Sequence, residues 1–115
     1  MHDRNPILKN LWIVLLVLTL LVRSEIVAAD DLEDGVWAFD NFSFTIAFQK
    51  LLPLAEQGDA TAQALVGRMY HQGNGVAKND QEAIKWLQKA SQQKNAEGMF
   101  QLSSFYRERV LNRRQ

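Results

Sequence analysis

The stretch GDATAQALVGRMYHQGNGVAKNDQEAIKWLQKAS, residues 58–91, contains two helix-like segments separated by a loop with two glycines. The first segment carries an apolar stripe at three- and four-residue spacing, at Ala62, Leu65, Val66, Met69 and Tyr70. The second segment carries a similar stripe at Ala83, Ile84, Leu87 and Ala90, with Trp86 beside it. The pattern therefore predicts a hairpin of two antiparallel helices.

The ends of these helices are marked by capping residues. Asp59 stands at an expected N-cap, and Asn79 with Glu82 has the spacing of a capping box, although Asp80 is an alternative cap. Gly73 follows the last periodic residue and is expected to end the first helix, while Gly75 permits the chain reversal. A phosphate-binding loop would follow a strand and lead directly into a helix, so this loop favours the structural interpretation.

The same pattern recurs along the chain. Residues 54–70, LAEQGDATAQALVGRMY, align without a gap with residues 90–106, ASQQKNAEGMFQLSSFY, at an offset of 36 residues. An offset of this size is typical of helical-hairpin repeats. We predict an all-α fold, a short solenoid of antiparallel helix hairpins with five helices at about 31–39, 43–57, 60–72, 80–93 and 96–110.

This unit resembles the Sel1-like repeat, a relative of the tetratricopeptide repeat. The family pattern, approximately G-D-A-x-A-Q-x-x-L-G-x-x-Y, then G-x-G-V, then A-x-x-W-x-x-K-A, is matched across one full unit. The structural repeat residues that match it are Gly58, Asp59, Ala60, Gly67, Tyr70, Gly73, Gly75, Val76, Ala83 and Trp86. The resemblance implies an α/α solenoid and a role in binding other proteins.

Outside the full repeat the pattern is only partly kept. We expect residues 30–58 to form a degenerate N-terminal half-repeat or cap, residues 59–94 the full repeat, and residues 95–115 a C-terminal half-repeat with a basic tail. Gly98 replaces a repeat alanine at an expected cost of up to about 1 kcal/mol in helix propensity. Ser103 replaces the packing glycine Gly67. With fewer than three full repeats, a homodimer or a partner's surface could supply the missing packing.

The first 29 residues have the layout of a secretory signal peptide. Basic residues Arg4 and Lys9 precede the uncharged, apolar residues 11–22, and small residues at Val27 and Ala29 precede Asp30. The apolar run is shorter than the roughly 20 residues that span a bilayer. We expect cleavage and a periplasmic or secreted product without a membrane span. The alternative is an inner-membrane anchor through residues 11–29.

Composition limits the remaining function classes. The chain has 13 basic and 13 acidic side chains, which gives no electrostatic reason to expect a nucleic acid partner. It has no cysteine, which excludes thiol nucleophiles and thiolate metal sites. Ser91 and Lys94 fit an S-x-x-K motif, but the companion motifs are absent. His71 is interpreted as a solvated residue or as a favourable charge near the C-terminus of a helix. We therefore expect no catalytic residue, no metal and no cofactor.

Two surfaces are candidates for binding a partner protein. Solenoids commonly bind partners on the concave face lined by the first helix of each hairpin. The repeat-equivalent positions there are Thr61, Leu65, Arg68 and Gln72, then Glu97, Gln101, Ser104 and Glu108. The second candidate is the aromatic group near the N-terminal end of the predicted fold: Trp37, Phe39, Phe42, Phe44 and Phe48. Its other interpretation is a structural cap on the first hairpin.

These observations predict an exported, non-enzymatic protein–protein interaction module that binds a partner peptide or helix in its concave groove. Membership of the family implies an adaptor or regulator of the bacterial cell envelope. One alternative is a dedicated inhibitor or immunity-type binder of a single toxin. A less favoured alternative is an envelope hydrolase or β-lactam-binding enzyme, which would need a convergent polar pocket.

Overall fold

A computed structural model describes residues 6–115, with the side-chain environments of residues 9–23 and 28–115. This part of the chain forms five helices and no strand. The helices are α1 (Pro6–Asp40), α2 (Phe44–Glu56), α3 (Ala60–Gln72), α4 (Asp80–Gln92) and α5 (Ala96–Arg113). The predicted all-α solenoid of five helices is confirmed. The helices belong to two compact units, residues 1–30 and 31–115.

Helix α3 is at the centre of the second unit. It packs against α2, α4 and α5, and most of its circumference is buried. Met69 and Val66 are among the largest fully buried side chains, together with Leu51 of α2 and Leu87 of α4. Helices α2, α4 and α5 each cover part of the apolar surface of α3, as expected of stacked helical hairpins.

The loop between α3 and α4 has the predicted structure. Gly73 is the C-cap of α3 in the left-handed conformation (φ 70°), and Gly75 is also left-handed (φ 71°). A side chain at Gly75 would collide with the backbone carbonyl of Phe44, so the loop packs directly on the start of α2. Asn79 is the N-cap of α4, and its side chain accepts hydrogen bonds from the backbone N–H groups of Gln81 and Glu82. The alternative cap, Asp80, is the first residue of the helix.

The turns before α3 and α5 repeat each other. The Asp59 side chain accepts a hydrogen bond from Ala62 N at 2.8 Å, and the Asn95 side chain accepts one from Gly98 N at 2.8 Å. The residue before each cap has positive φ, 105° at Gly58 and 61° at Lys94. The 36-residue offset read from the sequence is therefore also an offset between equivalent turns.

Two glycines allow close helix packing. A Cβ atom on Gly67 would lie 2.8 Å from Leu87 Cγ, so α4 approaches the α3 backbone directly. A Cβ atom on Gly98 would lie 2.6 Å from the Cβ of Ala90. The prediction treated Gly98 only as a cost in helix propensity. That account was incomplete, because the close approach of α4 and α5 requires a residue without a side chain at this position.

The predicted start of the first helix was wrong. A helix over 31–39 was expected, whereas α1 runs without interruption from Pro6 to Asp40. The reason lies in the sequence, since no glycine or proline interrupts residues 7–34. The last helix also continues past the expected residue 110 to Arg113. The other helices differ from the predicted bounds by at most one residue at either end.

Within the first unit, the apolar side chains of residues 11–18 and 20–22 are exposed. Helix α1 is the one helix in the described residues that is long and apolar enough to cross a membrane, with a mean hydropathy of 2.2 over 18 residues. A signal sequence has the same character. The predicted basic start at Arg4 and the side chain of Val27, beside the predicted cleavage site, lie outside the described residues.

Candidate partner-binding groove

The first helices of successive hairpins, α1, α3 and α5, meet around Arg68. Its guanidinium Nη1 lies 3.5 Å from a carboxylate oxygen of Glu97 on α5. Its Cζ lies 5.1 Å from the centre of the Phe39 ring on α1, close enough for a cation–π interaction. Arg68 therefore connects three helices through one side chain, while that side chain remains 35% exposed.

A groove of about 310 Å³ lies on the Phe39 side of Arg68. We call it the Arg68 groove; its other lining residues are Phe39, Asp40, Phe42, Phe44, Gln72 and Asn74. It combines three aromatic rings with a cation, one carboxylate and two amide side chains. Such a mixture suits a peptide that carries an apolar or aromatic side chain next to an acceptor group.

The aromatic group predicted near the first hairpin divides into two kinds of residue. Phe39 is buried, and Phe44 packs edge-on against both Phe39 and Phe42. Phe42 is 80% exposed and has a φ of 61°, a conformation that bulky residues rarely adopt. Trp37 is also exposed. The two interpretations of this group are therefore not exclusive, because some of its rings form core and others face solvent.

The predicted groove positions are brought together only in part. The Gln101 side chain donates a hydrogen bond to the Glu97 carboxylate at 2.8 Å, which extends the polar chain from Arg68 along α5. Gln72 lines the Arg68 groove. Thr61 is exposed and Ser104 is half-buried, and neither lines a cavity described here.

Leu65 does not fit the prediction of a solvent-facing groove position. Its side chain is only 9% exposed and belongs to the core. The physical reason is the central position of α3, which is covered by three other helices and has little free surface. Arg68, one turn further on, reaches the surface because its side chain is long.

His71 lies in a second cleft, of about 330 Å³, between the end of α3, the start of α4 and α5. Its Nδ1 atom lies 3.0 Å from Asp80 Oδ1, and its Nε2 atom lies 3.6 Å from Glu108 Oε2. Its ring packs edge-on against Phe105. Of the two interpretations given above, the position near a helix C-terminus matches the structure, since His71 lies in the last turn of α3. Its side chain is only 24% exposed and lies close to carboxylates of two helices.

Two contacts in this region were missed by the sequence analysis. The pair of His71 and Asp80 could have been found, because an antiparallel hairpin places the end of its first helix beside the start of its second. The contact of Arg68 with Phe39 had no such signal. It joins residues of α1 and α3, which are not consecutive helices, and the repeat register gives only the face of each helix.

The described residues contain no group of three or more His, Asp or Glu side chains that could hold a metal ion. Ser91 lies in the last turn of α4, and Lys94 lies in the turn that follows it. Its backbone N–H donates to the Ser91 carbonyl at 2.9 Å, so the S-x-x-K match coincides with a helix-ending turn.

Comparison with known proteins identifies one repeat within the chain. The Sel1 repeat model matches residues 60–95. A sel1-like repeat-containing protein, L18 of Acanthamoeba polyphaga mimivirus, is 40% identical over 71 residues. The alignment covers 55% of this chain but only 12% of the viral protein, so the chain spans a small part of that relative. Sel1 repeats generally bind other proteins and have no catalytic activity of their own. Residues 60–95, with the two capped helices and the glycine loop between them, therefore form a Sel1 repeat.

Proposed function

We propose that this chain is a non-enzymatic adaptor or regulator that is exported to the bacterial cell envelope and binds a peptide or helix of one partner protein in the Arg68 groove. The observation that carries the proposal is the position of Arg68. Its charged group lies among three helices, between the Phe39 ring and the Glu97 carboxylate, and stays accessible. Arginine next to aromatic rings is a common composition for binding hot spots.

The chemistry of the groove defines the partner. The Nε atom of Arg68 is buried, but the side chain is 35% exposed, so the outer N–H groups of its guanidinium can donate hydrogen bonds to a bound peptide. Exposed Phe42 offers an apolar contact at the other end of the groove. A peptide segment with a carboxylate or carbonyl group beside an apolar side chain would satisfy both.

Export is supported by the first unit. Its basic start, apolar segment and small residues before Asp30 follow the layout of a signal peptide. The proposal has two forms, a cleaved periplasmic or secreted product and a product anchored through residues 11–29. The intact mass of the product recovered from the envelope decides between them, since cleavage before Asp30 removes the apolar segment.

The binding proposal is tested with a photo-crosslinking residue placed at Gln72, which lines the groove, and at Gln88, which is exposed on α4. We expect the residue at 72, but not at 88, to capture one envelope protein. Arg68→Met should abolish this capture while the helical circular dichroism spectrum stays unchanged. Equal capture from both positions, or capture from 72 that survives Arg68→Met, would refute the groove as the binding surface.

A further inference from the structure

The outer side of α5 carries an exposed apolar stripe. Five side chains are between 44% and 61% exposed: Met99, Phe100, Tyr106, Val110 and Leu111. Their spacing of about four, seven and eleven residues places them on one side of the helix. Ser103, in the middle of this stripe, is exposed and small. We call this surface the outer α5 face.

The preceding repeat shows what covers the equivalent surface. At an offset of 36 residues, Met99, Phe100 and Ser103 correspond to Gln63, Ala64 and Gly67 of α3, all of which are buried. Gly67 lies directly under Leu87 of α4. The outer α5 face is therefore equivalent to the face of α3 that a helix covers, and Ser103 marks the place where that helix would approach most closely.

The charges on the outer α5 face indicate what kind of helix would bind there. Arg107, Arg113 and Arg114 are exposed and lie along the apolar stripe. The two acidic residues of α5 lie elsewhere, since Glu97 pairs with Arg68 and Glu108 lies beside His71. The outer face thus combines apolar and basic side chains without a carboxylate.

We infer that the outer α5 face binds an amphipathic helix of another protein, with acidic residues at the edges of its apolar face. That helix would cover the outer α5 face as α4 covers the equivalent face of α3. A second copy paired through the same face fits less well, because it would bring arginines together without any carboxylate between them. Binding to a lipid surface would not require a small residue, Ser103, in the centre of the stripe, because lipid does not need the close approach that a packed helix needs.

The test uses a peptide with the sequence of residues 79–95, which corresponds to α4 and its caps, in which Lys85→Glu and Lys89→Glu make the helix acidic. Binding of the fluorescently labelled peptide is measured by anisotropy on the full chain held in zwitterionic lipid nanodiscs. We expect it to bind about tenfold more tightly than the unmodified peptide. Arg107→Glu with Arg114→Glu should reverse this preference.

Matched variants locate the binding surface. Ser103→Arg fills the centre of the face and should weaken binding at least about tenfold, whereas Gln88→Arg, an equal change on exposed α4, should leave it within about twofold. Val110→Asp serves as a second variant on the same face, and circular dichroism verifies the fold of each. The inference is overturned if Ser103→Arg has no effect on peptide binding. It is equally overturned if Ser103→Arg leaves peptide binding unchanged but abolishes either the binding of the chain to anionic nanodiscs or its self-association.

Discussion

Leu87 packs on Gly67 so closely that a Cβ atom at position 67 would lie 2.8 Å from Leu87 Cγ and 3.2 Å from the Ala83 carbonyl oxygen. This contact fixes the distance between α3 and α4. It also explains why a glycine stands in the middle of a helix, where alanine would be favoured by about 1 kcal/mol.

The first prediction concerns this contact. Gly67→Ala should destabilise the fold by about 1–3 kcal/mol, because the overpacking outweighs the gain in helix propensity. Urea unfolding followed by circular dichroism measures the change. The equivalent Ser103→Ala should change the free energy of unfolding by less than about 0.5 kcal/mol, since position 103 is exposed. In a Leu87→Ala background, Gly67→Ala should cost clearly less; full additivity would contradict the proposed contact.

The second prediction separates backbone strain from collision. Gly58 and Gly75 both have positive φ, but a Cβ atom would meet nothing within 4 Å at Gly58 and would collide with the Phe44 carbonyl at Gly75. Both alanine variants should lose stability from strain. Gly75→Ala should lose at least about 1 kcal/mol more, measured by thermal and urea unfolding. Similar losses at the two positions would mean that the loop does not pack on α2.

The third prediction concerns the N-caps. Asp59→Ala removes the acceptor of the hydrogen bond from Ala62 N and should cost about 1 kcal/mol. Asp59→Asn keeps an acceptor oxygen and should be close to neutral. Because the turn before α5 is equivalent, Asn95→Ala should behave like Asp59→Ala. Calorimetric unfolding of all three variants checks this, and an Asn95→Ala variant with unchanged stability would break the equivalence of the turns.

The fourth prediction concerns the buried amide of Gln63, which is 4% exposed. It donates to the Ala55 carbonyl at 3.1 Å and accepts from the Gln93 side chain at 2.8 Å, joining the ends of three helices. Gln63→Ala should cost about 1–2 kcal/mol, because it removes two hydrogen bonds of a buried side chain, while Ala55 O and Gln93 Nε2 each keep a hydrogen bond to Gly58. Gln88→Ala, on the exposed side of α4, should cost less than about 0.5 kcal/mol. Equal effects in urea unfolding would mean that the network has no stabilising role.

The fold could be predicted from the sequence mainly because its signals are local. Asp59, Gly73 and Asn79 mark helix ends through the chemistry of single residues, and the 36-residue offset gives the order of the hairpins. The start of α1 was missed because the prediction treated residues 1–29 as a signal segment outside the fold. It therefore began the helix at residue 31, whereas the backbone is helical on both sides of that residue. Nothing between residues 7 and 34 stops a helix.

The candidate groove could be predicted less completely. Repeat register placed Arg68 and Glu97 on neighbouring helices, and the structure brings them together. It also placed Leu65 at the surface, because periodicity cannot tell how many neighbours surround a helix. The approach of Phe39 to Arg68 joins two helices that are not consecutive, and the positive φ of Phe42 in the turn after α1 has no signal in a bulky residue.

The equivalent turns at Gly58–Asp59 and Lys94–Asn95 have a consequence for lengthening the protein. In each turn, the cap N–H donates to a carbonyl five residues earlier, Leu54 or Ala90, at 3.0 and 3.1 Å. A duplicate of residues 59–94 inserted after Lys94 would therefore begin and end in turns that the chain already forms. Such a tandem duplication would elongate the array by one hairpin and leave both terminal surfaces unchanged. Residues 59–94 are therefore a suitable unit for building longer repeat proteins.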